Sequence, residues 1–242
     1  MAQNIYDTPE FFAGYSGLPR SVLGLDGAPE WPSVRALLPA LAGRDVVDLG
    51  CGFGAFARWA AQQDAASVLA LDLSENMLAR ARELTASPAV RYQRADLEQL
   101  SLPRAAFDLA YSALALHYVE DYARLAASVF DALRPGSAFV FTIEHPIYMA
   151  STRPGWLQRE DGERTWALDH YACEGERITH WFADGVRKYH RTLATTVNTL
   201  LAAGFTLERI AEWSPSADQL AQQPALGDEM QRPMLLVVAA SR

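Results

Sequence analysis

Val46-Val47-Asp48-Leu49-Gly50-Cys51-Gly52-Phe53-Gly54 is the stretch from which the fold can be read. Valines and leucine closed by alternating glycines read as a core strand meeting a tight turn, and Ala55, Phe56, Trp59 and Ala60 follow at helical spacing. A β-carbon at such a turn would hold a ligand off the backbone and forbid left-handed angles, so glycine is the residue it needs. The turn opens onto a helix N-terminus, where unpaired N–H groups and the helix dipole favour an anion, phosphate or carboxylate. Gly50, Gly52 and Ala55 also satisfy the loose G-x-G-x-x-G/A dinucleotide pattern. The glycines alone therefore do not separate a nicotinamide enzyme from other nucleoside binders.

Two later acids narrow the choice. Ser67 to Leu71 is a second apolar run, ended by Asp72 and followed by Ser74-Glu75-Asn76 with Met77, Leu78 and Ala81 on a helical face. Asp72 lies close to the separation of roughly 20 residues at which an acid in a βαβ unit meets a ribose. It could instead cap the next helix, but Ser74 is the better N-cap, because the periodic face begins at Met77. Val90 to Gln93 is a third short strand leading into Ala95-Asp96-Leu97-Glu98. Asp96 is either a solvated turn residue or a third acid at the strand ends, outside which ligands collect in open parallel sheets.

Composition sets the outer limits. At 242 residues, 50% of them hydrophobic, the chain is long enough to bury a full core, and we expect one domain over 1–242. No stretch reaches the roughly 18 uninterrupted apolar residues of a spanning helix, and no leader-like segment opens the chain, so a soluble cytoplasmic protein is expected. Cys51 and Cys173 form neither a disulfide framework nor a zinc set, and no metal is expected. A net charge of −8, with Lys188 the one lysine, argues against a nucleic-acid partner and for a small-molecule substrate.

The rest of the chain supplies two coverings for the strand ends. Residues 1–32 hold Tyr6, Phe11, Phe12 and Tyr15 in a helical and loop segment that either packs on the sheet or closes the cleft as a lid. Trp31 to Leu41 reads as an amphipathic helix, with Pro32 in its first turn. Phe107 to Tyr111 is a fourth strand, running into Ser112 and then His117-Tyr118. Tyr122 to Leu133 is a helix stopped by Arg134-Pro135-Gly136, and Ala138 to Ile143 is a fifth strand ending at Glu144-His145-Pro146. Residues 147–188, rich in Trp, Tyr and His, read as an inserted cap that covers a substrate or forms an oligomer face. Leu193 to Ala203 is a helix, and Phe205 to Trp213 and Pro233 to Ala239 are two final strands.

Five strands alternating with helices, then a helix and two consecutive strands, is the order found in class I S-adenosylmethionine-dependent methyltransferases. The chain resembles that family through Asp48 to Gly54, Leu71-Asp72-Leu73-Ser74 with Met77, Ala95-Asp96-Leu97, and Leu133-Arg134-Pro135-Gly136. The resemblance implies an α/β, Rossmann-like, doubly wound seven-stranded sheet, mostly parallel with an antiparallel last strand, and the cap inserted after the fifth strand. It implies that the cofactor's methionine lies against Gly50, Cys51 and Gly52, with Asp48 at its amino end. Asp72 would take the ribose hydroxyls and Asp96 the adenine amino group. Leu73, Met77 and Leu97 would flank the base, and Ser112 would face the same pocket. The family's DNA amino-methylating branches carry an Asn/Asp-Pro-Pro-aromatic motif where this chain has Tyr111-Ser112-Ala113-Leu114, which counts against nucleobase amines.

A sulfonium methyl is already activated, so catalysis is expected to be mainly in-line positioning, an effect of about 7–11 kcal/mol. Where the acceptor carries a proton a base is needed, and the candidates are His145, His117 and His190, in that order. Tyr15 and Tyr118 are candidates to face the sulfonium. The competing readings are an NAD(P)-dependent oxidoreductase and a non-catalytic cofactor-binding module; the oligomeric state is left between monomer and homodimer.

Overall fold

In the computed structural model, which describes residues 3–242, three short helices come first: α1 (Pro9–Ser16), α2 (Pro19–Val22) and α3 (Trp31–Arg35). Then β1 (Asp45–Leu49), α4 (Ala55–Gln62), β2 (Ser67–Asp72), α5 (Glu75–Glu83), β3 (Val90–Arg94), β4 (Phe107–Ala113), α6 (Tyr122–Ala132) and β5 (Leu133–Glu144) alternate. After α7 (Pro146–Met149) come two hairpins, β6 (Trp156–Gln158) with β7 (Arg164–Trp166), and β8 (Gly175–Trp181) with β9 (Ala183–His190). The chain closes with α8 (Leu193–Ala203), β10 (Thr206–Glu212), α9 (Ala217–Gln222) and β11 (Leu235–Ser241).

The seven long-range strands form one sheet in the order β10-β11-β5-β4-β1-β2-β3. β1 to β5 run parallel to one another, and β11 runs antiparallel to both β5 and β10. The expected α/β architecture holds. β1 sits at the centre with Val46, Val47 and Leu49 fully buried, as a parallel strand covered on both faces must be. One face packs on α6 and α8 through Leu125, Val129 and Leu200; the other packs on α3, α4 and α5 through Val34, Phe56, Ala60 and Leu78. The strand order reverses between β1 and β4, which opens a crevice above their carboxyl ends.

Local boundaries moved where proline or core contact overrides periodicity. The helix expected over Trp31 to Leu41 stops at Arg35, because Pro39 disfavours helical angles in the residue before it. The helix expected to reach Leu133 stops at Ala132: Leu133 is buried and pairs with Phe107, so Arg134-Pro135-Gly136 enters the strand through a register shift. β9 runs to His190, past the boundary at 188 expected for the insertion, and its last residue pairs with Gly175 of β8. Ser74 does cap α5, its hydroxyl accepting from Met77 N–H at 3.1 Å. Among the described residues no helix is long and apolar enough to cross a membrane.

The backbone passes closely under the β4 end at Gly50. Its φ is +79°, and a Cβ there would lie 2.3 Å from Ala115 Cβ. A left-handed L-residue costs about 1–2 kcal/mol and overpacking about 1–3 kcal/mol. Gly50→Ala is therefore expected to lower unfolding free energy by roughly 2–5 kcal/mol in urea titration. A wild-type midpoint would show that the β4 end yields to the turn.

Candidate active site

The site grows from the ends of β1 and β2. Gly50 and Cys51 N–H both donate to Leu71 O at 2.8 Å, and Gly52 N–H donates to Asp72 Oδ2 at 2.8 Å. Asp72 Oδ1 accepts from Ser74 N–H at 3.0 Å. One carboxylate thus ties the glycine turn to the start of α5. The N–H groups of Gly50, Cys51 and Gly52 are thus engaged within the protein, and the helix N-terminus onto which the turn opens is that of α4, beginning at Ala55. Burial pushes the Asp72 carboxyl up, and the N–H groups of Ser74 and Gly52 pull against that shift.

Asp48 lies beside the turn, 1% exposed, and its Oδ2 has no hydrogen-bond partner. Burial first, then the Asp72 charge, pushes its carboxyl well above the usual range. A buried acid oxygen left without a donor is costly, and a cation brought to it removes that cost. The turn and the acid together fit the amino end of a methionine. Asp48, Gly50, Cys51, Gly52 and Asp72 all line one cavity of about 1040 Å³. Leu73, Met77, Asp96 and Leu97 line it further along the β2 and β3 ends. Asp96 Oδ1 also accepts from Glu98 N–H at 2.9 Å, so the acid is oriented by its own turn while it borders the cavity.

The cavity roof comes from the two ends of the chain's covering segments. Phe11 of α1 is fully buried, with its ring 5.2 Å from that of Trp181 at the end of β8 and 4.6 Å from that of Tyr6. Tyr15 packs edge-on against Phe53 of the glycine turn at 5.6 Å, and the Tyr6 hydroxyl donates to that of Tyr118 at 3.2 Å. Asp7 fastens this segment to α5, accepting from Ser74 Oγ at 2.5 Å and from Asn76 N–H at 3.1 Å. Gln3 bonds both Gly185 O and Arg187 N–H across to the cap. Tyr6, Tyr15, Tyr118 and Trp181 all line the cavity.

The three histidines separate. His117 lines the cavity; burial, then the charges of Lys188 and Arg191, push its pKa well down. His145 does not line it, which corrects its first rank: Pro146 starts α7 at once, and the ring turns to cap that helix, Nδ1 accepting from Ile147 N–H at 3.0 Å and Nε2 meeting Glu212 Oε1 at 2.9 Å. His190 is fully buried with Nε2 2.8 Å from Tyr171 O, also away from the cavity lining. Ser112 is corrected too. Strand alternation turns Tyr111 and Ala113 to the cavity, while Ser112 donates to Leu49 O at 2.7 Å and ties β4 to β1.

Residues absent from the sequence reading of the site complete the wall opposite the glycines. Lys188 Nζ meets Glu144 Oε1 at 2.5 Å and stands over the rings of Trp181 (5.3 Å) and Tyr118 (5.8 Å). Arg177 lies beside it on β8. The alternation Arg177, Thr179, Trp181 was the available signal for an inward hairpin face.

A family profile described as "Methyltransferase domain" matches residues 47–141. The chain is similar to an S-adenosylmethionine dependent methyltransferase from Mesorhizobium loti, with 55% identity, 90% of this chain and 100% of that one covered, and a TM-score of 0.88. It is also similar to a putative S-adenosylmethionine dependent methyltransferase from Listeria monocytogenes: 37% identity, 90% and 99% coverage, TM-score 0.84. A partial relative is the malonyl-[acyl-carrier protein] O-methyltransferase of Pectobacterium atrosepticum, 36% identical over 54% of this chain. The match spans 50% of that relative's length.

The buried acid has a pH signature. Asp48 holds its proton more tightly when folded than in the unfolded chain, where an Asp titrates near 3.9, so its ionisation costs stability that grows as pH rises above about 4. Without cofactor, Asp48→Asn is expected to unfold at a higher urea concentration than wild type at pH 8, with the gap closing toward about pH 4. Equal midpoints at pH 8 would show that the carboxyl carries no such penalty.

Proposed function

Since the chain belongs to the S-adenosylmethionine-dependent methyltransferases, we propose that it transfers the methyl group of that cofactor to a small molecule enclosed between the glycine turn and the cap. The observation that carries this reading is the continuity of the cavity. It runs from Asp48 and Asp72 to Trp181 and Lys188 without a dividing wall. Its volume of about 1040 Å³ stands at the top of the roughly 300–1,000 Å³ usual for one small ligand, which leaves room for a second.

Bound S-adenosylmethionine supplies a methyl group activated by a sulfonium. Asp48 holds the ammonium, satisfying its orphaned oxygen. Asp72 takes the ribose hydroxyls on the lone pairs left after Gly52 and Ser74 are served, since a carboxylate offers about four. Asp96 accepts from the adenine amino group, and Leu73, Met77 and Leu97 flank the ring. Gly50 and Gly52, with the Cys51 backbone between them, keep the turn clear of β-carbons. Tyr15 and Tyr118 present ring faces that favour a sulfonium by about 0.5–2 kcal/mol. Residues 3–32 and the β8–β9 hairpin meet beside the cavity through the Phe11, Tyr6 and Trp181 packing. His117 is the histidine retained as proton acceptor, kept neutral by burial and by the charges of Lys188 and Arg191.

A metabolite screen for cofactor-dependent release of S-adenosylhomocysteine tests the reaction and finds the acceptor together. The adenine contact has its own test. Asp96→Ala is expected to weaken S-adenosylmethionine binding by roughly tenfold or more in calorimetry, the value of one charge-assisted bond, with the urea midpoint near wild type. Unchanged affinity would move the base elsewhere in the cavity.

A further inference from the structure

Two basic side chains stand directly opposite each other on the cap wall of the cavity. Arg177 pairs with Lys188 in the β8–β9 register, and both are buried, at 7% and 4% exposure. Opposed residues of an antiparallel pair share a face with Cβ atoms about 4.5–5.5 Å apart, where like charges are destabilising. Burial away from water sharpens that repulsion. The arrangement costs stability unless something negative meets it.

The surroundings cover only half of the charge. Lys188 Nζ has Glu144 as its one hydrogen-bond partner among the described residues, so two of its three N–H groups have no acceptor there. Arg177 donates to the carbonyls of Ala150 (2.8 Å), Cys173 (2.6 Å) and Glu176 (3.1 Å), and among the described residues no carboxylate lies within ion-pair distance of it. Carbonyls satisfy its donors without cancelling its charge. The opposite end of the same cavity has the reverse bias, with Asp48, Asp72 and Asp96. The charge of Lys188 is also one of the causes that hold the His117 pKa down, which agrees with a positive local potential.

We propose that Lys188, backed by Arg177, is the anion subsite for the methyl acceptor, and that the acceptor carries a carboxylate which docks on Lys188 Nζ. This rests on the methyl-transfer reading, which assigns the cap end of the cavity to the acceptor. An ammonium walled by Trp181 and Tyr118 donates a charge-assisted bond in poorly hydrated surroundings, where it is strongest. A cationic acceptor would meet two like charges against the single carboxylate of Glu144. The rival account makes the Lys188–Glu144 pair a plain staple between the cap and β5, indifferent to any ligand.

Lys188 is the one lysine of the sequence, so protein labelled with 13Cε-lysine reports a single side-chain resonance from this position. In protein saturated with S-adenosylhomocysteine, acetate, malonate and benzoate are titrated beside acetamide, malonamide and benzamide. The expected result is a saturable shift with carboxylates and none with the amides, and an Arg177→Gln variant that weakens the carboxylate response by roughly fivefold or more. A resonance that no carboxylate moves, or that the amides move equally, overturns the subsite. Calorimetry of S-adenosylhomocysteine on the same sample keeps the two readings apart: if it binds and the carboxylates do not, only the subsite falls, and if it does not bind, both fall.

Discussion

The geometry of this protein hangs on one carboxylate. Asp72 accepts from Gly52 N–H on one side and Ser74 N–H on the other, and so locks the turn after β1 to the turn after β2. Leu71 O, one residue earlier, takes the N–H groups of Gly50 and Cys51. Three N–H groups of the glycine turn are thus held by two adjacent residues at the end of β2, which fixes the turn against that strand. That rigidity lets Asp48 remain buried with an unpaired oxygen, since relaxation of the turn would otherwise bring water or a donor to it.

Charge is distributed along the cavity in a way that folding alone does not reward. The acids at the strand ends act on their neighbours: the Asp72 charge is a cause of the Asp48 shift, second to burial, and the Asp7 charge raises Asp72 in turn. At the cap end Lys188 has the carboxylate of Glu144, while Arg177 opposite it meets carbonyls. Both ends hold buried charge that a ligand of opposite sign would neutralise. A molecule that is cationic at its sulfonium and ammonium suits the acidic end. The basic end asks for something else.

The roof is a joint product of remote segments. Tyr6 and Phe11 meet Trp181 and Val186 in a small apolar cluster that neither segment could bury alone. Asp7, through Ser74 Oγ and Asn76 N–H, anchors the same segment at the start of α5, beside Asp72. Movement of the roof is thereby coupled to the turn that carries the acids. Arg232 gives the cap a second anchor, its guanidinium lying 4.5 Å from the Trp166 ring and 4.7 Å from the Tyr148 ring.

How far the sequence reads this protein depends on how local each feature is. The central strand, its glycine turn and the acids Asp48, Asp72 and Asp96 are legible, because alternation, turn chemistry and strand-end position are properties of a few neighbouring residues. So is the helix cap at Ser74. The histidines are not, because whether a ring meets the cavity depends on how the chain leaves the strand: Pro146 turns His145 into a cap, and β9 points His190 inward beneath the hairpin. Ser112 fails for a related reason, since a slip of one residue along a strand exchanges its faces. The wall made by Tyr6, Tyr118, Trp181, Glu144 and Lys188 joins residues up to 182 positions apart. By itself the sequence determined the sheet and the acidic floor, where every contact is local or follows from strand order. The tertiary structure alone decided the roof and its basic wall, because burial and charge there are set by segments that meet only after the sheet has formed.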